Sequence, residues 1–302
     1  MYAASLRSTG ALVAHTAEVR HPITGAEQQS PALPGAGWPG DPATVRTPAA
    51  TSPDEVTDLA RSAPGLDELD ARVSVCRACP RLVAWREQVA QAKRAAYRDQ
   101  PYWGRPVPGL GDPQPQVLLV GLAPGAHGGN RTGRMFTGDR SGEWLYAALH
   151  RAGYASAPTS DHAGDGLVLT GLRITAAGHC APPENKPTPA ELAACSGWLD
   201  RELDLVTPTL EAVLALGQVG WRAALAAARR LGWQVPRPLP RFGHQARAAL
   251  GSPARTVRLV GSYHVSQQNT STGRLTTAML DAAIAQLGRT GDEGASGDRA
   301  RP

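Results

Sequence analysis

The chain has 302 residues, 42% of them apolar, enough for one large α/β domain or two small ones to bury a core. Lys and Arg number 31 against 26 Asp and Glu; this mild excess, and a pI near 9.3, fits a polyanionic partner without requiring one. No apolar run approaches the roughly 20 residues of a membrane span, so no spanning helix and a cytoplasmic protein are expected.

Residues 1–65 are rich in Ala, Pro, Gly, Ser and Thr and show no sustained apolar period, which predicts a disordered arm. Residues 289–302 share that character and that expectation, leaving 66–288 as the domain. A helix opens near Pro80 and carries Leu82, Val83, Trp85 and Val89. Gln116–Gly121 (QVLLVG) then reads as a buried strand running into a glycine-rich loop. Further strands are predicted near Leu167–Thr175, Glu211–Leu216 and Val257–Tyr263. Helices fill the gaps at Gly142–Ala152, Pro189–Leu205, Gln218–Leu231 and Gly273–Leu287. The second of these opens on Thr188, Pro189 and Glu191, a capping box with proline in the first turn. Such alternation predicts an α/β fold, a parallel sheet covered by helices on both faces, with its chemistry on loops at the carboxyl ends of strands.

Four cysteines in a reducing compartment are read for metal or redox chemistry rather than as disulfides. Cys76 and Cys79 form a C-x-x-C before a helix, Cys180 follows the second strand, and Cys195 lies inside the next helix. One close pair and two distant thiols lean toward an iron–sulfur cluster, with zinc still open; four buried free thiols are the plain alternative. The segment GLAPGAHGGNRTGRMFTGDRSG, from Gly121, lets backbone approach a ligand but lacks the dinucleotide spacing, and Pro124 interrupts its turn. Phe136, one of only two phenylalanines, sits in this polar loop, where its ring could stack on a base or cover a satellite core. SYHVSQQNTSTGRLT, from Ser262, places His264 at a strand end, able to donate to a developing oxyanion or simply to hold structure. CAPPENKPTP, from Cys180, offers Asn185 and Lys186. The chain's three asparagines, Asn130, Asn185 and Asn269, all lie in these loops.

Taken together, C-x-x-C-P with Cys180 and Cys195, GLAPGAHGGNRTGRMFTGD, CAPPENKPTP and YHVSQQNTSTGRLT resemble the uracil-DNA glycosylase superfamily, specifically its family 5, the B-type enzymes, over Val75–Leu287. The resemblance implies a three-layer αβα fold with a four-stranded parallel sheet and one 4Fe-4S cluster on Cys76, Cys79, Cys180 and Cys195. It implies a monomer that excises uracil, and also hypoxanthine and ethenocytosine, from double-stranded DNA. By motif, Phe136 corresponds to the ring that stacks on the flipped base and His264 to the group that stabilises uracil at O2. Asp139 and Asn185 fall near the sugar and the attacking water, and Leu122, Ala123, Pro124 and Gly125 line the pocket. Ser266, Gln267, Gln268, Asn269, Arg274, Asn130 and Arg131 are expected on the DNA. Leu122 and Ala123 leave no carboxylate in the first motif to activate water, so Asp139 is the substitute. Val265 stands where proline is expected after the histidine, which should loosen that loop. A non-catalytic iron–sulfur protein that binds damaged DNA, an iron–sulfur electron carrier and a nucleotide-binding α/β protein are the rival readings.

Overall fold

The computed structural model describes residues 19–288. A short hairpin of β1 (Val19–Arg20) and β2 (Glu27–Gln28) precedes three helices, α1 (Pro53–Arg61), α2 (Leu66–Val75) and α3 (Pro80–Ala92). Then follow β3 (Leu110–Gly111), β4 (Val117–Gly121), α4 (Gly129–Thr132), α5 (Arg140–Arg151), β5 (Leu172–Ala176) and α6 (Pro189–Val206). The chain continues through β6 (Ala212–Leu216), α7 (Gly217–Arg230), β7 (Arg247–Gly251), β8 (Thr256–Ser262), α8 (Gln267–Ser271) and α9 (Thr277–Ala285).

The main sheet has the order β3-β5-β4-β6-β8-β7. Its four inner strands are parallel, as expected, with Val117 opposite both Leu172 and Ala212, and Leu214 opposite Val260. The expected four-stranded sheet is extended to six by antiparallel edges, β3 on β5 and β7 on β8. Neither edge has a sequence signal strong enough to be read. β3 is two residues long, and β7 buries only Leu250 along RAALG.

Side chains leave a strand alternately to its two faces, and here each face finds a helical layer. Val117, Leu119, Ile174 and Leu214 join Leu145 and Leu149 of α5 and Leu280 of α9 in one core. Leu118, Val120, Val213 and Leu259 join Leu199 and Leu203 of α6 and Trp221 of α7 in the other. The strands β4, β5 and β6 are therefore buried along their whole length, the pattern of a parallel sheet covered on both sides. Thr188 caps α6 by accepting the Glu191 N–H at 3.2 Å while Glu191 accepts the Thr188 N–H at 2.8 Å, the predicted capping box. A buried arginine of β5 ties two helices to the sheet: Arg173 donates to Glu202 of α6 at 2.6 Å and to both carboxylate oxygens of Asp70 in α2.

The expected disordered arm is corrected over residues 19–65. Trp38 is buried, lies with its ring centroid 5.7 Å from that of Trp103 at a tilt of 59°, and donates its indole N–H to Thr132 O at 3.1 Å. Asp41 forms a two-pronged ion pair with Arg105, at 2.8 and 3.0 Å. Helix α1 buries Val56 and Ala60. These contacts are with distant segments, so no local period announces them. The rest of the arm, residues 1–18, and the expected tail 289–302 lie outside the described residues.

Candidate active site

β4 is the central strand from which the chain first moves to β5 and later returns to β6, so the sheet's switch point lies at the carboxyl ends of β4 and β6, where α/β sheets bind ligands. The loops after β4 and β5 are zipped together there: Ala177 N–H donates to Gly121 O and Gly178 N–H to Leu122 O, each at 3.0 Å. Leu122, Ala123 and Gly125 are half-buried and Pro124 is buried.

Phe136 has φ +52°, a conformation that a bulky residue keeps only when its surroundings impose it. They do so here. Met135 O accepts from Tyr146 Oη at 2.9 Å and from Thr137 Oγ1 at 3.1 Å, and Thr137 Oγ1 pairs with Ser160 Oγ at 2.6 Å. The ring lies against Gly121, where a methyl group would stand 3.0 Å from Cζ, so only glycine leaves the ring its place. On its other flank is His264, with ring centroids 6.0 Å apart and planes tilted by 37°.

His264 follows β8 and packs on Gly217 at the start of α7. Burial holds its pKa down to about 4. The ring is therefore neutral at pH 7 and offers one N–H. Asn269 Nδ2 donates to His264 O at 2.8 Å, fixing the turn. Val265 is buried in the core that includes Leu275 and Leu280. The expected loosening of this loop is corrected: burial of Val265 and the Asn269 bond fasten it.

Asp139 is the N-cap of α5, its Oδ1 accepting the Gly142 N–H at 3.0 Å. Its Oδ2 turns toward the first-motif loop, where a methyl on Gly128 would fall 1.8 Å away; the carboxylate occupies the space that glycine leaves. Burial raises its pKa, opposed by the amides of Gly142 and Ser141 and by Arg131. Phe136 and His264 thus meet near the carboxyl ends of β4 and β8, while Asp139 lies against Gly125 and Gly128 of the first-motif loop. Asn185 does not join them: it is exposed, at the end of a short turn over Pro183–Asn185, with φ +56°.

Two expected DNA contacts are corrected. Asn130 is buried and donates to Arg86 O at 3.2 Å. Arg131 is buried, and its nitrogens go to His127 O, Gln100 Oε1 and Gly138 O. Both hold the loop's shape instead of facing outward. Asn269 likewise spends its amide on His264 O. Gln267, Gln268 and Arg274 are exposed and Ser266 is half-buried, with the Arg274 guanidinium 4.8 Å over the Tyr263 ring.

Cys76 closes α2 and Cys79 precedes α3. With Cys180 and Cys195 they line one cavity, together with Val56, Leu82, Val83, Leu192 and Trp198. Burial pushes the thiols of Cys76, Cys79 and Cys195 up, Cys79 to about 11, and the neighbouring sulfurs push each of them further. Four such groups can be thiolates together only around added positive charge. Among the described residues no group of three or more His, Cys, Asp or Glu has the arrangement for a metal ion. Arg86, buried, donates to Cys180 Sγ at 3.0 Å and to Cys76 O at 3.1 Å. Its Nε is buried with no hydrogen-bond partner, and the Trp198 side chain donates toward Cys76, so both supply donors for an anionic cluster. The residues present fit such a group. Arg86 was not singled out from the sequence; the available signal was its place two helical turns after Cys79, on the same helix face.

The uracil DNA glycosylase superfamily model matches residues 108–288. The chain belongs to the uracil-DNA glycosylase superfamily. Within it, the chain is similar to the type-5 uracil-DNA glycosylase of Mycobacterium tuberculosis, at 57% identity over 86% of this chain and 95% of the relative. The type-5 enzyme of Thermus thermophilus is 52% identical over 69% of this chain and 90% of its own length. That of Pyrobaculum aerophilum is 45% identical over 71% and 88%. A type-4 uracil-DNA glycosylase of Sulfurisphaera tokodaii matches more weakly, at 32% over 37% of this chain. The type-5 likeness of this superfamily member extends upstream of residue 108 and so takes in part of the segment expected as a disordered arm.

Proposed function

We propose that the chain is a uracil-DNA glycosylase that turns a deaminated base out of duplex DNA and hydrolyses its bond to the sugar, the first step of base excision repair. The observation that carries this reading is the Phe136–His264 pair, 6.0 Å between ring centroids, at the switch point of a sheet belonging to this superfamily. A base inside a duplex is unreachable and must be extruded at a cost of a few kcal/mol, least for uracil mispaired with guanine. The extruded ring stacks on Phe136, with the backbone of Leu122–Gly125 lining the pocket. Hypoxanthine and ethenocytosine are further candidates for the same slot.

Breaking the glycosidic bond leaves its electron pair on the base and positive charge on the sugar. His264, kept neutral by burial, donates its N–H to the uracil oxygen that gains charge, and a preorganised donor of this kind is worth about 3–4 kcal/mol. The Asp139 carboxylate opposes the sugar's charge and orients water. Ser266, Gln267, Gln268 and Arg274 meet the DNA. Cys76, Cys79, Cys180 and Cys195 hold one 4Fe-4S cluster, which when bound supplies a structural tie and no reaction step. The chain acts as a monomer.

Purified protein is incubated with duplexes carrying uracil opposite guanine or adenine, hypoxanthine, or ethenocytosine, and abasic sites are then cleaved with alkali. Strand breaks at uracil are expected, and His264→Ala should lower the rate about a hundredfold with binding nearly kept. Intact strands with the wild-type chain would overturn the reading in favour of a binding protein without chemistry.

A further inference from the structure

The loop between α7 and β7, Pro236–Gln245, lies outside every motif described above, yet it is fastened to the turn that carries His264. His244 stacks on Tyr263 with centroids 5.1 Å apart at 25°, and its Nδ1 accepts the Tyr263 N–H at 3.3 Å. Phe242 meets the same Tyr263 ring at 6.3 Å, and Trp221 meets Phe242 at 6.1 Å. Trp221 Nε1 donates to Pro240 O at 3.0 Å, and Gln245 N–H donates to Gly261 O at 2.7 Å. The loop is thus braced on β8 and α7, and its outward side chains have set positions.

Arg237 and Arg241 point out from this braced loop, both exposed. Some exposed and half-exposed arginines have carboxylate partners, as Arg77 with Glu87, Arg81 with Glu191, Arg151 with Asp281 and Arg230 with Asp200, while others, such as Arg140 and Arg222, have no ion pair among the described residues. Arg237 and Arg241 have neither an ion pair nor a hydrogen bond among the described residues. Arg274, from the chain after β8, rests over Tyr263 itself. Arg274, over Tyr263, and Arg241, beside the Phe242 that meets Tyr263, therefore bring guanidiniums without an ion pair toward this turn from two separate segments, with Arg237 on the same braced loop as Arg241. Such groups match phosphate geometry and bind it bidentately.

We propose that Pro236–Gln245 is a second DNA-gripping arm, in which Arg237 and Arg241 bind backbone phosphates beside the everted nucleotide. The inference rests on the glycosylase reading above for the placement of DNA over His264. Phosphate contacts fix register without reading sequence, so the arm holds any duplex equally and leaves lesion choice to the pocket.

The test compares wild type with the double variant Arg237→Gln, Arg241→Gln. The probe is a fluorescent duplex bearing a tetrahydrofuran abasic analogue, titrated by anisotropy between roughly 50 and 200 mM salt. Each phosphate neutralised contributes about 0.9 to the slope of log affinity against log salt, so the slope should flatten by about 2. Affinity at the lower salt should fall at least about tenfold. Uracil excision at saturating enzyme should be unchanged, because neither arginine touches a reacting atom. An unchanged slope in a protein whose wild type excises uracil would sink the arm alone. A flattened slope in a protein whose wild type makes no abasic sites would sink the glycosylase reading and leave the arm standing.

Discussion

At Asp139 one carboxylate oxygen caps the start of α5 and the other faces Gly125 and Gly128, so a single side chain opens a helix and sets a carboxylate oxygen against the first-motif loop. Two substitutions separate these jobs. Asp139→Asn keeps an equally good cap and removes the charge; it should leave thermal stability nearly unchanged and lower excision at least about tenfold. Asp139→Ala should lose the rate and also about 1 kcal/mol of stability. The pH profile tests the same assignment. Burial raises the Asp139 pKa, so the acid limb of kcat should lie above the ordinary carboxyl value of about 3.9 and vanish in Asp139→Asn. His264, held near 4, should add no limb near its usual value. Its effect on stability has a defined sign. Below about pH 6.5 the unfolded chain binds a proton that the folded ring refuses until pH falls near 4. Stability should therefore decline as pH drops through that window, and a Tm series in acid should show less decline in His264→Gln. Motif order in the sequence was enough to single out Phe136, Asp139 and His264. The cap at Asp139, the positive φ of Phe136 and the burial of Asn130 and Arg131 were not legible there, because each depends on what the chain meets after it turns.

Among the elements, the strands β4 and β6 and the helix α6 were readable because their signals are local: apolar runs buried on both faces, and a capping box within four residues. β7 has no such run. Helix α1 lies in a segment whose Ala, Pro and Gly content hid it, although Ser52 caps it through the Glu55 N–H at 3.2 Å. α1 buries little of its own and orders by packing on α6, where a methyl on Gly197 would come 3.3 Å from Val56. α3 was predicted for its apolar face, but its buried cation was not. Arg86 sits on the cysteine cavity and also gives its carbonyl to Asn130 Nδ2, so α3 joins the cysteines to the glycine-rich loop. Arg86→Met keeps the bulk and removes the donors. Purified variant should hold at most about half the iron per chain of the wild type, since outer donors of this kind change metal affinity about 10- to 100-fold. Iron content and visible absorbance measure this without reference to activity; equal iron in both proteins would remove Arg86 from any part in holding the cluster.

At the scale of the whole molecule, the pocket loop is held from behind by the segment that composition alone marked as an arm. Gly133 is wedged between Trp38 and Trp103, with ring atoms of both 3.0 Å from where a methyl would stand, and the Trp38 indole bonds Thr132 O. Those contacts lie three and four residues before Phe136, whose backbone must be kept in a conformation it would not choose. The strand that feeds the pocket, the helix that Asp139 caps and this N-terminal layer therefore form one unit. Trp38→Ala should cost about 3–5 kcal/mol through the cavity it leaves, lowering Tm by on the order of 10 °C in a domain of this size. A decoration of the surface would lose far less than that. If the layer also holds Phe136, the variant at a temperature where it remains folded should show a raised KM for uracil-containing duplex. Its affinity for undamaged duplex should match the wild type, because the exposed DNA-facing loops are untouched. A variant with unaltered Tm and KM would show that the N-terminal segment merely rests on the domain and supports nothing in the site.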